Sequence, residues 1–300
     1  MQERVSISFL SQVTSKLGDI AMLYKLRLGS LVVFSSVIGY LIVAGSNFNF
    51  IDLFLLALGG FLVTSASNAI NQIFEKDVDS LMSRTQNRPL PTERMSSSEA
   101  ILYAGIAAVC GLLIITYYFN PIAGLLSAVA LISYAFIYTP MKRFTSFAVF
   151  VGSIPGALPP AIGAVAAAGL SDSFISWALL LFSIQFIWQF PHFWAIAWVA
   201  FEDYKKAGIM LLPSRDGKCK NSALISLIYS IFLIPMSFAG YFAGMVGLSG
   251  SVVLLLAGLA FVYTAYNLYT NLDDKSAKHL MFASFFYLPI ALVALLIDKL

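Results

Sequence analysis

Nine stretches of nearly unbroken apolar sequence run through this 300-residue chain, over 28–46, 51–74, 99–118, 121–138, 147–168, 174–199, 221–245, 251–271 and 279–297. A helix crossing the hydrocarbon layer of a bilayer needs about 20 such residues. In lipid the backbone satisfies its own polar groups most simply by coiling. The pattern therefore predicts an all-α integral membrane protein built as a bundle of nine transmembrane helices. The third and fourth runs are separated only by Asn120 and Pro121. The remaining connections are of two kinds, a few residues long or, over 75–98 and 200–220, long and polar.

Charge gives the bundle a direction. Basic residues precede the first run (Arg4, Lys16, Lys25, Arg27) and then fill alternate connections: Lys76, Arg84, Arg88 and Arg94; Lys142 and Arg143; Lys205, Lys206, Arg215, Lys218 and Lys220; Lys275 and Lys278. The connections between these carry none, so all 18 basic residues except Lys299 fall on one side. By the positive-inside rule the N-terminus is cytoplasmic and the C-terminus lies outside. Composition agrees, with 59% hydrophobic residues, 11% charged and a mean hydropathy of +0.85. The net charge of +3 then records topology, and no nucleic-acid partner is expected. Residues 1–27 read as a cytoplasmic N-terminal segment in which 6–24 can form an amphipathic helix on the membrane surface. They lack the basic start and apolar stretch of a removable signal. The whole of 1–300 reads as a single polytopic domain. Cys110 and Cys219 have the spacing of neither a metal site nor a redox pair.

Two polar clusters stand out where apolar runs end. In "NQIFEKDVDSLMSRTQNRPLP" (71–91), Asn71, Glu75 and Asp79 are four residues apart, which puts three oxygen-bearing side chains on one helical stripe. Mg²⁺ takes one or two carboxylates together with water and substrate phosphates, and this stripe suits it. Asp77 points elsewhere. Arg84 and Arg88 can reach the same phosphates as two-pronged donors. The plainer reading is a solvated helix end whose charges keep it out of lipid. In "WQFPHFWAIAWVAFEDYKKAGIMLLP" (188–213), Pro191 is expected to kink the helix, and His192 lies within the apolar run. Glu202 and Asp203 follow at the exit, about three turns or 15 Å beyond His192 if the helix is continuous. Phe186, Trp188, Phe190, Phe193, Trp194, Trp198 and Phe201 read mostly as an interfacial aromatic belt, a few of them able to line a cavity.

Acidic clusters at helix ends, with basic residues beside them, suit a diphosphate bridged by Mg²⁺, and an apolar bundle beneath suits a long hydrocarbon tail. Prenyl transfer is the reaction class that uses both. A secondary transporter is the rival from another class, but its polar site would lie near the bilayer centre. A structural membrane subunit would leave the paired clusters without a purpose.

These residues resemble the intramembrane prenyltransferase (UbiA) superfamily, and within it the haem O synthase branch (protohaem IX farnesyltransferases). The resemblance runs from about residue 20 to 296 and is carried by 71–91, by "YTPMKRFTSFAVFVGSIPGALPPAIGAVA" (138–166) and by "PHFWAIAWVAFEDYKKAGIMLLP" (191–213). It implies a nine-helix fold and Mg²⁺-dependent transfer of a farnesyl group from farnesyl diphosphate to a vinyl group of haem B, giving haem O. It implies Asn71, Glu75, Asp79, Glu202 and Asp203 as the metal positions. Arg84, Arg88, Lys142 and Arg143 fall on the diphosphate-binding positions, and His192 and Asp203 join the first motif as catalytic positions. It further implies residence in a bacterial cytoplasmic membrane with the active site facing the cytoplasm, and leaves room for association with haem A synthase or terminal oxidase assembly. A quinone-type aromatic acceptor is the alternative within the class, and the Pro191-His192-Phe193 element resembles the haem branch instead. Three departures from the pattern are Glu75 in place of Asp, Gln72 where many members carry Asp, and Leu26 where Pro is usual.

Overall fold

The computed structural model describes residues 14–168 and 173–299. Among these residues nine helices are long and apolar enough to cross a membrane: α1 (Leu26–Asn47), α2 (Phe50–Phe74), α3 (Ser97–Phe119), α4 (Pro121–Met141), α5 (Ala148–Ala168), α6 (Ser173–Val199), α7 (Lys220–Phe242), α8 (Leu248–Asn271) and α9 (Asp274–Ile297). They match the nine apolar runs. The thin boundary between α3 and α4 is real: the Asn120 side chain accepts from Ala123 N at 2.8 Å, and Pro121 opens the helix without needing a donor. Pro191, by contrast, does not end its helix. α6 runs on to Val199 and is interrupted at Ala200, so the kink expected at Pro191 does not appear as a break.

Helix α5 is the axis. Of its most apolar window 78% is buried, against 56% or less in the other eight helices, and it packs on α1, α4 and α6. Its sequence, rich in Gly and Ala, permits that position because lipid offers little hydrophobic drive between helices and close backbone approach takes its place. A Cβ on Gly163 would sit 1.8 Å from the Ser36 carbonyl oxygen, and one on Gly39 would sit 2.1 Å from that of Pro160. Three prolines lie inside α5. Pro160 deprives the Gly156 carbonyl of its helical donor, and the buried Gln185 of α6 supplies a replacement, Nε2 to O at 2.7 Å.

Two apolar clusters fill the bundle. One joins α6 to α9 around Trp194, Trp198, Phe261 and Tyr287, and the other joins α1 to α5 around Leu56, Ile115, Leu131 and Ile162. Trp188, Phe190, Trp194 and Trp198 are at most 8% exposed, so the aromatic run of α6 is core and not the interfacial belt expected from sequence. Rings such as Phe190, Trp194 and Tyr229 pack against one another across α6 and α7.

The polar connections gather at one end of the bundle. Residues 14–24 are helical and lie on the α2–α3 connection, held by Lys16–Glu99 (2.7 Å) and Arg94–Asp19 (2.9 Å) and by the buried Leu23. The rest of the expected surface helix, 6–13, lies outside the described residues. At the opposite end Lys299 donates to the carbonyls of Leu41 and Ile42 at 3.1 and 2.8 Å. Lys299, the one basic residue at that end among the described residues, thus supplies donors to carbonyls near the C-terminal end of α1.

Gly163→Ala places a methyl group inside the α1–α5 contact, and overpacking of this kind costs about 1–3 kcal/mol or more. It should lower the thermal unfolding midpoint in detergent by several degrees, whereas Gly105→Ala, where a Cβ meets nothing within 4 Å, should leave it unchanged.

Candidate active site

Helix α2 ends at Phe74, and Glu75 interrupts it before a short helix, Lys76–Asp79. The interruption does not spoil the stripe. Glu75 N still bonds Asn71 O at 3.1 Å and Asp79 N bonds Glu75 O at 2.7 Å, keeping the four-residue register. Asn71, Glu75 and Asp79 are accordingly all buried, at 2%, 2% and 0% exposure. Buried carboxylates need cations, and each has one. Lys142, just past the end of α4, pairs with Glu75, and Arg88 pairs with Asp79 at 2.6 Å. Asn71 links three segments: its Nδ2 donates to Glu75 Oε2 (3.0 Å) and Thr139 Oγ1 (3.2 Å), and its Oδ1 accepts from Lys25 Nζ (2.9 Å). The Tyr138 ring lies under Lys142 Nζ at 5.6 Å and beside Tyr134 at 5.3 Å. A wide π-type turn over Ser133–Tyr138 brings these two rings to the same end of α4.

The second loop meets the first through Asp203. Its carboxylate accepts from Ser83 Oγ at 2.9 Å to both oxygens and from the Ser83 and Arg84 amides at 3.4 and 3.3 Å. These bonds, led by the Ser83 hydroxyl, hold the carboxyl below the usual range. Arg84 in turn donates to Tyr204 Oη at 3.1 Å and lies over that ring. Asp203 therefore clasps the two connections together. Glu202, beside it, is exposed and joins no hydrogen bond or ion pair of the cluster.

Deeper in the bundle, His192 stacks on Trp188 with ring centres 4.4 Å apart and meets Phe285 of α9 edge-on. Its Nδ1 is 2.7 Å from Ser284 Oγ, whose own hydrogen goes to Met281 O at 2.5 Å. The hydroxyl proton is thus spent, so Nδ1 is the donor and Nε2 keeps the lone pair. α6 is continuous for seven residues beyond His192 and breaks at Ala200. The unbroken rise over those seven residues is about 10 Å, and the 15 Å expected to Glu202 assumed a continuity that ends at Ala200.

Of the candidate residues, the structure brings together Asn71, Glu75, Asp79, Arg88 and Lys142, with Arg84 at the clasp beside them. Arg143 faces away: it pairs with the exposed Asp77 at 2.7 Å and donates to Phe74 O. Sequence reasoning missed Lys25, Thr139, Tyr134 and Tyr138 as members. It also gave Gln72 no role. That amide donates to the carbonyls of Met22 and Leu23 at 3.1 and 2.7 Å, which an Asp carboxylate could not do. Its signal was present, since the end of a helix over 6–24 leaves carbonyls needing donors.

As for a metal, no group of three or more His, Cys, Asp or Glu converges among the described residues. The oxygen donors of Asn71, Glu75 and Asp79 nevertheless fit Mg²⁺, which substrate oxygens complete. Asp79 Oδ1 is buried without a hydrogen-bond partner.

Comparison with known proteins bears on the family and the fold. The model of the UbiA prenyltransferase family matches residues 32–288. A protoheme IX farnesyltransferase of Cytophaga hutchinsonii is 43% identical over 278 residues, covering 92% of this chain and 96% of that one. A solved digeranylgeranylglyceryl phosphate synthase has the same fold, with a TM-score of 0.78 at 19% identity over 95% of this chain and 98% of its own. A UbiA homologue from Archaeoglobus fulgidus, solved bound to GPP and Mg²⁺, superposes with a TM-score of 0.70 at 16% identity over 92% and 99% of the two chains.

Removing the clasp should loosen the first connection without disturbing the bundle. Asp203→Ala should make tryptic cleavage after Arg84 several-fold faster, while Asp77→Ala, which breaks only an exposed pair, should leave that rate as it was.

Proposed function

The chain belongs to the UbiA prenyltransferase family, and we propose that it transfers the farnesyl group of farnesyl diphosphate to a vinyl group of haem B, giving haem O and diphosphate. The observation that carries this reading is the buried cluster in which cations outnumber the two carboxylates Glu75 and Asp79, set at the polar end of an apolar helical bundle. The relatives named protoheme IX farnesyltransferase support the choice of donor and acceptor.

Asn71, Glu75 and Asp79 would hold Mg²⁺, which when bound supplies charge neutralisation to the departing diphosphate. Arg88 and Lys142 share those phosphate oxygens, and Arg84 closes over them from the clasp. As the bond between farnesyl C1 and the diphosphate oxygen breaks, C1 becomes cationic. The rings of Tyr134 and Tyr138 offer their faces to that charge. The terminal vinyl carbon of haem B bonds to C1, and the cation left next to the porphyrin takes up water and releases a proton, which closes the valences. His192 serves the acceptor. Its Nε2 lone pair can ligate the haem iron or accept a hydrogen bond, and its stacking on Trp188 suits a flat apolar ligand. The crowding of basic residues at the site end supports a cytoplasmic active site in a bacterial inner membrane.

The direct test incubates the purified protein with haem B, farnesyl diphosphate and Mg²⁺ and follows the haem by mass spectrometry. Conversion to haem O is expected. Unchanged haem, with a prenylated quinone precursor formed when one is supplied, would overturn the acceptor assignment. Asp79→Asn should cut turnover by about 100-fold or more in protein that still folds.

His192→Ala should weaken haem B binding, read from the Soret band, while affinity for a non-reactive farnesyl diphosphate analogue stays within about twofold. The reverse pattern would move His192 to the donor side.

A further inference from the structure

Lys25 is a cation of the buried cluster to which the reaction above gives no part. Its position is built with care. Residues 14–24 are helical, and Lys25 then adopts φ 51° and ψ 58°, a left-handed conformation uncommon outside glycine and asparagine, before α1 begins at Leu26. Strained backbone of this kind persists where surrounding structure enforces it, and here α2 does so. Asn68 Nδ2 donates to Tyr24 O at 3.3 Å, and Gln72 Nε2 donates to Met22 O and Leu23 O. Between these two on α2, Asn71 receives the Lys25 ammonium on Oδ1 at 2.9 Å. Because Asn71 Nδ2 faces Glu75 Oε2 and Thr139 Oγ1, the amide orientation is fixed by its partners.

The charge count is the second observation. Glu75 is paired with Lys142 and Asp79 with Arg88. Lys25 makes no ion pair among the described residues, and its bonded partner is a neutral amide. A group so placed is stabilised by an incoming anion and destabilised by a further cation.

Taking the diphosphate reading above as its basis, we propose that Lys25 is a diphosphate-binding residue whose hold on Asn71 sets the order of loading. A bare divalent cation competes with Lys25 for the Asn71 oxygen and is repelled. A cation arriving with diphosphate is accepted, because the ammonium can turn from Asn71 to phosphate oxygens. No other basic residue of the cluster bonds Asn71, so this opposition belongs to Lys25.

The consequence is a pair of effects of opposite sign, which a merely structural lysine would not produce. With the full-length protein in detergent, Mn²⁺ binding alone is measured by electron paramagnetic resonance, and inorganic diphosphate binding in the presence of Mg²⁺ is measured by calorimetry. Lys25→Gln should bind Mn²⁺ alone several-fold more tightly than the unaltered protein and bind inorganic diphosphate about tenfold more weakly. Lys25→Arg should keep the diphosphate affinity within about threefold. Lys25→Asn, which tolerates the left-handed backbone, repeats the test if Lys25→Gln unfolds. Unchanged diphosphate affinity, or a parallel loss of both affinities, would overturn the proposal. If the unaltered protein bound no inorganic diphosphate even with Mg²⁺, the diphosphate reading itself would fall.

Discussion

Two carboxylates, Glu75 and Asp79, lie buried where a membrane-spanning bundle meets its polar end, and each must be neutralised on the spot. That requirement organises the site. Glu75 draws in Lys142 from the end of α4, so α2 and α4 are held in fixed relation. Asp79 draws back Arg88, folding the α2–α3 connection over the site. Asn71, one turn earlier, fastens the entry to α1 through Lys25. Buried ion pairs return little net stability once desolvation is counted, and apolar replacements often do as well. A fold seeking only stability had no need to place six polar residues here. The cluster makes sense as a site that works with charge.

The bundle supports this end from a distance. Close packing of α1 on α5 through Gly39 and Gly163 holds α1 against the central helix, and Lys25 stands at its entry. The amides of Asn68 and Gln72 do the same for the residues before it. The clasp of Asp203 on Ser83 and Arg84 differs in kind: it lies at the surface and joins two connections, so it can open without unpacking helices. A rigid cluster beneath a loosely fastened cover suits a reaction that must exclude water and still admit a long-tailed diphosphate.

Much of this was legible in the sequence, and the limits have physical causes. Run length alone located the nine helices, because a bilayer demands length and apolarity together. The four-residue spacing of Asn71, Glu75 and Asp79 survived the break at Glu75 because two backbone hydrogen bonds kept the register. Spacing could not tell Lys142 from Arg143. Neighbours in sequence point about 100° apart, and only the packing of α4 decides that Lys142 faces Glu75 while Arg143 faces Asp77. Lys25 was given no place in the site, since its reach there depends on a left-handed residue that no helical periodicity foretells. The aromatic run of α6 misled for a related reason: composition fits a core and an interfacial belt equally, and burial separates them.

The central claim is that the excess of positive charge around Asn71, Glu75 and Asp79 accepts Mg²⁺ and a prenyl diphosphate as a coupled pair. Coupled ligands raise each other's affinity by the same factor. The most direct measurement is therefore the binding of a non-reactive farnesyl diphosphate analogue to the purified protein across a range of Mg²⁺ concentrations. The account predicts that Mg²⁺ tightens analogue binding at least about tenfold, and that Asp79→Asn removes most of this gain. Analogue binding of equal strength with and without Mg²⁺ would contradict it.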